Sequence, residues 1–325
     1  MITSVLPLSR FLSIIACLGA LPLLTGPRIG AQEQPAARPK AVQEGKGHSF
    51  VCTDYSAGKV FIVNPDGKVE WEYSAGHCND LWSLPNGNLL FNTGHGVKEI
   101  TRQKNVVFSY ESKSEIYACQ RLANGNTFIG ECNAARLLEV APDGKLVKEV
   151  HLLPEGKDGG HLYMRNARQL SNGNYLVAHY GEQVVREYDP HGKQVREIPA
   201  QGGPHSVIRL PDGNTLIACG DFPGGRRVCE VDKDGKTVWE VKADELPGIS
   251  LKLMAGLQRL PNGNTVITSA NHGKPIGTGD LVKAFEITPA KKLVWSIPGK
   301  TSKGNMGNIQ ILDVPGDVYK FEVLK

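Results

Sequence analysis

The chain has 325 residues, with 37 lysines and arginines set against 33 aspartates and glutamates, a formal net charge of +4. That balance is too even for the basic stripe of a nucleic-acid-binding surface. No apolar run reaches the length that crosses a bilayer as a helix. A protein with neither nucleic acid nor a membrane span as its setting is expected.

The first residues read as an export leader. Arg10 closes a short start, "FLSIIACLGALPLL" (11–24) is an apolar run of secretory proportions, and small residues follow at Gly30 and Ala31. "IIAC", ending at Cys17, resembles a lipoprotein box, but the apolar run continues past it, so ordinary cleavage near Ala31 is expected. Residues 1–31 are read as a signal peptide, 32–47 as a polar, Pro-containing linker, and 48–325 as one domain, exported to the periplasm or the outside. Losing Arg10 and Arg28 with the leader brings the charge to +2. Six cysteines remain, an even number that permits disulfides in an exported chain, and Cys219 with Cys229, flanking one loop, is the expected pair.

Two phrases then alternate. One is "LPNGN" (84–88), "LANGN" (122–126), "LSNGN" (170–174), "LPDGN" (210–214), "LPNGN" (260–264) and a degraded "LDVPGD" (312–317). The other is "NPDGKVEWEY" (64–73), "APDGKLVKEV" (141–150), "DPHGKQVREI" (189–198), "DKDGKTVWEV" (232–241) and "TPAKKLVWSI" (288–297), with "RQKNVVFSY" (102–110) in the vacant place. Asn-Gly and Asp-Gly supply the positive φ angles of tight hairpins, and β-branched apolar runs flank them. Each period of roughly 40 to 50 residues therefore holds four strands, A to D, the first phrase turning A into B and the second C into D. The fold expected is all-β: a six-bladed β-propeller of four-stranded antiparallel blades.

The ends complete this reading. Residues 49–73 supply strands B, C and D without an A, and "GNIQILDV" (307–314) supplies the missing A, so the terminal strands pair in one blade and close the ring. The final "VYKFEVLK" has no place in the repeat. Trp71, Phe108, Lys148, Arg196, Trp239 and Trp295 share one register position and are expected to pack between blades. Gln120, Gln258 and Gln310, with Trp82, Arg168 and Ile208 as equivalents, share another, where hydrogen bonds to neighbouring backbone are expected.

If the repeated turns share one face of the disc, the variable D–A entries and B–C loops crowd the other, around the channel mouth. His77, His161 and His205 fall at entries to strand A, while His95, His179 and His272 fall in B–C loops. His205, His161 and Arg165 are the candidate catalytic residues. His77, Asp80, Tyr163, Arg168, His179 and His272 are the candidate ligand-binding residues. Arg165 and Arg168 together suit an anion. A metal centre on His77, His161 and His205 is the lesser alternative, and no metal is expected.

"DGKTVWEV" and "LPNGNTLI" resemble the repeats of the quinoprotein-like (PQQ-like repeat) propeller superfamily, and more nearly its six-bladed arylsulfotransferase-like exported bacterial members, over about residues 48–325. The quinone-dependent dehydrogenases of that superfamily imply pyrroloquinoline quinone, eight blades and a vicinal cysteine pair. Six repeats and no Cys-Cys argue against that cofactor, and no cofactor is expected. The arylsulfotransferases imply a channel-mouth histidine nucleophile, for which "PHSVIRLPDGN" places His205. The function expected is a secreted, monomeric propeller that binds a small anionic ligand, a glycan or a protein at its top face. The alternatives are an arylsulfotransferase-like group-transfer enzyme and, further off, a quinone-linked oxidoreductase.

Overall fold

In the computed structural model, residues 47–222, 225–242, 245–246, 249, 253–270, 282–298 and 306–325 are described. The leader and nearly all of the linker fall outside them, as do His272 and the B–C loop that carries it.

Among the described residues, twenty-four strands follow the repeat. The first set is β1 (Phe50–Asp54), β2 (Lys59–Val63) and β3 (Val69–Ser74); the second is β4 (Leu81–Ser83), β5 (Leu89–Asn92), β6 (Gly96–Ile100) and β7 (Val106–Glu111). The third is β8 (Ile116–Arg121), β9 (Thr127–Glu131), β10 (Arg136–Val140) and β11 (Leu146–His151). The fourth is β12 (Asn166–Gln169), β13 (Tyr175–His179), β14 (Val184–Tyr188) and β15 (Gln194–Pro199). The rest are β16 (Gly203–Arg209), β17 (Thr215–Gly220), β18 (Arg227–Val231), β19 (Thr237–Lys242), β20 (Leu253–Arg259), β21 (Thr265–Ala270), β22 (Val282–Ile287), β23 (Leu293–Pro298) and β24 (Met306–Ile311). All pairing is antiparallel, and the sheets are arranged as a propeller.

Four sheets stand alone with four strands each: β24–β1–β2–β3, β4 to β7, β8 to β11, and β12 to β15. The ring closes as expected, with Phe50 on β1 opposite Ile311 on β24. Among the described residues, however, the separate four-stranded sheets number four and not six. Strands β16 to β23 form one eight-stranded sheet, in which two four-stranded meanders are joined by the single pair Gly220 and Leu253. Gly220 makes that junction possible, since a Cβ there would lie 2.1 Å from Leu253 Cδ1 and 3.3 Å from its Cα.

Turn chemistry explains the hairpins. In the first A–B turn, Leu84 N–H donates to Asn88 O and Gly87 N–H donates to Leu84 O, both at 2.9 Å, with Gly87 at φ 83°. Where the C–D phrase lacks its glycine, Lys104 and Lys291 take the left-handed conformation instead, at φ 70° and 63°. The last asparagine of the first five A–B phrases is a tie. Asn88, Asn126, Asn174, Asn214 and Asn264 donate from Nδ2 to Glu99, Glu139, Glu187, Glu230 and Glu286 on strand C, at 2.6–2.8 Å.

Two register positions join one sheet to the next. On the outer strands, Trp71 Nε1 donates to Arg102 O and Trp239 Nε1 to Pro289 O, each at 2.8 Å, and Arg196 reaches Asp232 O. Trp295 packs edge-on against Phe50, and Lys148 lies over Tyr175. On the inner strands, the glutamines behave as expected. Ser83 N–H donates to Gln310 Oε1 (2.8 Å), Gln169 N–H to Gln120 (3.0 Å) and Ile311 N–H to Gln258 (2.7 Å). Trp82 substitutes by donating to Cys119 O at 2.6 Å. Each bond satisfies a backbone group that the neighbouring inner strand could not pair within its own sheet.

Residues past β24 cross the turn-bearing end. Val318–Lys320 make one 3-10 turn, Val318 joins the second sheet's core, and Leu324 bridges Arg259. Lys325 is wholly buried.

The expected Cys219–Cys229 disulfide is absent: all six described cysteines are free and buried. Cys229 sits opposite Ile217, so Cys219 is its diagonal neighbour. Diagonal Cα atoms on paired strands are about 7–8 Å apart, beyond the reach of a relaxed disulfide.

Candidate functional site

Every repeat contributes the same register position to one cavity. Five residues before the leucine of each A–B turn stand Asn79, Tyr117, Arg165, His205, Ala255 and Gly307. All six line a cavity of about 190 Å³ at the end of the channel away from those turns, together with Tyr55, His161, Leu253 and Ala270. Its wall is lopsided. Consecutive repeats supply Tyr117, Arg165 and His205 on one arc, and small or amide side chains on the other.

Arg165 is at the centre of the polar arc. Its guanidinium carbon lies 4.4 Å from the Tyr117 ring centroid and 4.7 Å from that of Tyr180, a cation held between two aromatic faces. Nη1 donates to the carbonyls of His161 and Met164, which leaves Nη2 turned to His161 Nε2 at 3.1 Å. On the other side of that imidazole, Nδ1 meets Glu115 Oε2 at 2.7 Å. A guanidinium can only donate, so Nε2 accepts, and the ring's proton sits on Nδ1 and is given to Glu115.

His205 forms the second cluster. Its Nε2 lies 3.3 Å from Asp221 Oδ2, which also accepts the Tyr180 hydroxyl at 2.6 Å. Asp221 holds the left-handed conformation, φ 65°, that turns its carboxylate inward. Tyr180 touches both clusters, its ring on Arg165 and edge-on to His205 at 4.8 Å. Burial pushes the phenols of Tyr117 and Tyr180 well up, and the Asp221 bond adds to it for Tyr180, so both remain neutral donors.

His77 borders an adjoining cavity of about 140 Å³ that shares Tyr55, Asn79 and Tyr117 with the first and includes His95 and Glu115. The Tyr55 hydroxyl lies 2.9 Å from His77 Nδ1. The three candidate catalytic residues therefore do share one cavity wall, and His77 is next door.

The other candidates lie elsewhere. Asp80 and Arg168 are buried in the channel interior, paired through both carboxylate oxygens at 2.6 and 2.9 Å. Lys325 Nζ donates to Leu81 O beside them and lies 3.8 Å from Asp80 Oδ1, while Arg168 Nε donates to Lys325 O. These groups spend their charge on one another. Tyr163 and His179 pack inside the fourth sheet, rings 4.7 Å apart, with His179 Nε2 2.8 Å from the Tyr188 hydroxyl. Burial drives His179 down to about 4, a neutral core imidazole. Among the described residues no three of His, Cys, Asp and Glu cluster as metal ligands, so His77, His161 and His205 do not form the alternative metal centre.

Glu115, Tyr117, Tyr180 and Asn79 were not singled out from sequence. The signal for Tyr117 and Asn79 was present, since they share the register of Arg165 and His205; Glu115 and Tyr180 carry no such mark. A larger cavity of about 890 Å³ opens on the turn-bearing end. Its arginines, Arg209 and Arg259, are already paired with Glu187 and Glu230, so it offers fewer groups for a ligand.

No protein-family model matches this chain, and no curated protein sequence does. Solved structures do. A protein of unknown function from Bacteroides caccae is similar with a TM-score of 0.73 and 26% identity, over 81% of this chain and 98% of that one. A streptogramin B lyase follows at 0.53 and 14%, over 78% and 84%. A catalytically inactive histidine-to-alanine variant of virginiamycin B lyase from Staphylococcus aureus, with quinupristin, is similar at 0.53 and 16%, over 83% and 90%. The lyase likenesses are of fold alone. No helix among the described residues is long and apolar enough to cross a membrane.

Proposed function

We propose that this protein is a ligand-binding β-propeller whose channel-mouth cavity takes a small anionic molecule, or the anionic end of a larger one. The observation that carries this reading is the set of six equivalent positions converging on one cavity, three of them Tyr117, Arg165 and His205. The same set supports counting six blades, with the joined sheet taken as two. A volume of about 190 Å³ suits a compact group better than a drug-sized body, which needs roughly 300 Å³ or more. Titration calorimetry with benzenesulfonate, and with benzylammonium as a cationic control, tests it. Saturable binding of the anion alone, lost in Arg165→Met, is the expected result; equal heats for both probes, or none, would reject the reading.

A second reading is an arylsulfotransferase-like group-transfer enzyme. What favours it is the Glu115–His161 pair, which leaves an imidazole lone pair beside a cation at the cavity wall. Release of 4-nitrophenol from 4-nitrophenyl sulfate with phenol as acceptor would be compared in native protein, His205→Ala and His161→Ala. Equal background rates in all three would remove this reading.

A further inference from the structure

We propose that anion binding in the channel-mouth cavity is coupled to the uptake of one proton by His161. This rests on the ligand-binding reading above and specifies how that site recognises its anion.

Without a ligand, one of the two Arg165 Nη2 hydrogens is satisfied by His161 Nε2 at 3.1 Å. That contact requires a neutral imidazole, because a protonated one would present a hydrogen to a hydrogen and place two cations side by side. An oxyanion seated between Arg165 and His161 takes that hydrogen and leaves Nε2 without this partner. The exchange is then completed from solvent: the imidazole gains one proton at Nε2 and donates it to the same anion. Arg165 and His161 become two donors on one oxyanion, and the new positive charge is balanced by the ligand.

The surroundings favour that protonated form once the anion is present. Glu115 Oε2 lies 2.7 Å from Nδ1 and accepts from it in both states. The other groups facing His161 are the Tyr117 ring, at 6.2 Å between centroids, and Arg165 itself. Cys132 lies beneath the loop, its thiol against the carbonyls of Gly160 and His161. On the loop itself Asp158 is spent on Gly160 N–H. Burial keeps the Tyr117 phenol and the Cys132 thiol protonated, so Glu115 and Arg165 are the charges that decide the outcome. The His161 side chain is 57% exposed, which gives the proton a direct route from water and lets the residue be replaced without disturbing the core.

The experiment is calorimetric titration of benzenesulfonate into the whole protein at pH 7.2, in bis-Tris and in Tris, cationic buffers of different ionisation enthalpy. Benzenesulfonate does not titrate in this range, so any buffer-dependent heat reports protons bound by the protein. Proton uptake on anion binding is expected, so that affinity falls as pH rises. His161→Gln should bind with uptake near zero and a flat pH profile, since its amide donates without being protonated. Glu115→Gln should weaken binding at pH 7.2 by about tenfold. Saturable binding by the native protein with no uptake, or uptake unchanged in His161→Gln, would overturn this inference and leave the ligand-binding reading standing. No saturable binding by the native protein would overturn both.

Discussion

Arg168 donates to both carboxylate oxygens of Asp80, at 2.6 and 2.9 Å, across the interior of the propeller, with both side chains at most 5% exposed. Asp80 Oδ2 also accepts the Cys119 N–H at 3.0 Å, so one carboxylate holds three inner strands together. Asp80→Asn leaves a guanidinium buried without its counter-charge and should cost roughly 3–5 kcal/mol, read as a lower denaturation midpoint. Loss within experimental error would mean that the pair is relaxed by water.

Lys325 makes a second, opposite prediction. Two cations, Arg168 and Lys325, share one carboxylate, and burial lowers Lys325 from 10.5 to about 7. The unfolded chain therefore binds a proton between about pH 7 and 10.5 that the folded chain refuses, so stability rises with pH through that window. Lys325→Met keeps the stem on the Trp82 ring, which the ammonium overlies at 4.3 Å, and removes the buried charge. The variant should match or exceed native stability near pH 7, and its advantage should vanish toward pH 10.5. Thermal melts across that range would show it.

His179 predicts sensitivity on the acid side. Its folded value of about 4 lies below the ordinary 6.5. The His179 contribution is complete above pH 6.5 and is lost as pH falls toward 4, by roughly 3 kcal/mol in all. His179→Gln should flatten this part of the stability–pH curve. An unchanged slope would place the acid sensitivity in other groups.

Gln310 tests the closure of the ring. Its amide accepts from Ser83 N–H at 2.8 Å and donates back to Ser83 O at 3.3 Å, tying β24 to β4. Gln310→Ala should cost about 1–3 kcal/mol by orphaning a strand amide. Chemical denaturation, with the denaturant slope checked against native protein, measures it.

The free cysteines give a simpler check. Burial raises all six thiols, so the folded protein should react negligibly with a disulfide reagent. In denaturant without reductant, Cys219 and Cys229 should both be labelled. If they stay unlabelled until reduced, the bridge expected from sequence exists after all.

The repeat, its hairpins and the terminal pairing were legible because turn chemistry is local. An Asn-Gly step demands positive φ wherever it occurs, and even the glycine-free turn at Lys104 follows its register. The site was legible in part. His161, Arg165 and His205 were found as polar residues at strand entries, and the structure brings them together. Asp80 was placed with them but is one residue past Asn79, and successive side chains of an extended segment point to opposite sides. His179, expected in a B–C loop, instead ends strand β13, paired with Val184 and buried in the sheet's core. Lys325 could not be read at all, since it stands outside the repeat and gains its meaning only from Asp80 and Arg168.

The partnership of β1 with β24 also sets a timetable. Phe50–Asp54 emerges from the ribosome well before its edge partner Met306–Ile311, with every other strand of the repeat made in between. Until then a fully buried strand waits with one side of its backbone unpaired, an invitation to association with other chains. Production of this protein should therefore depend on whatever shields nascent edges more than on the stability of the finished ring.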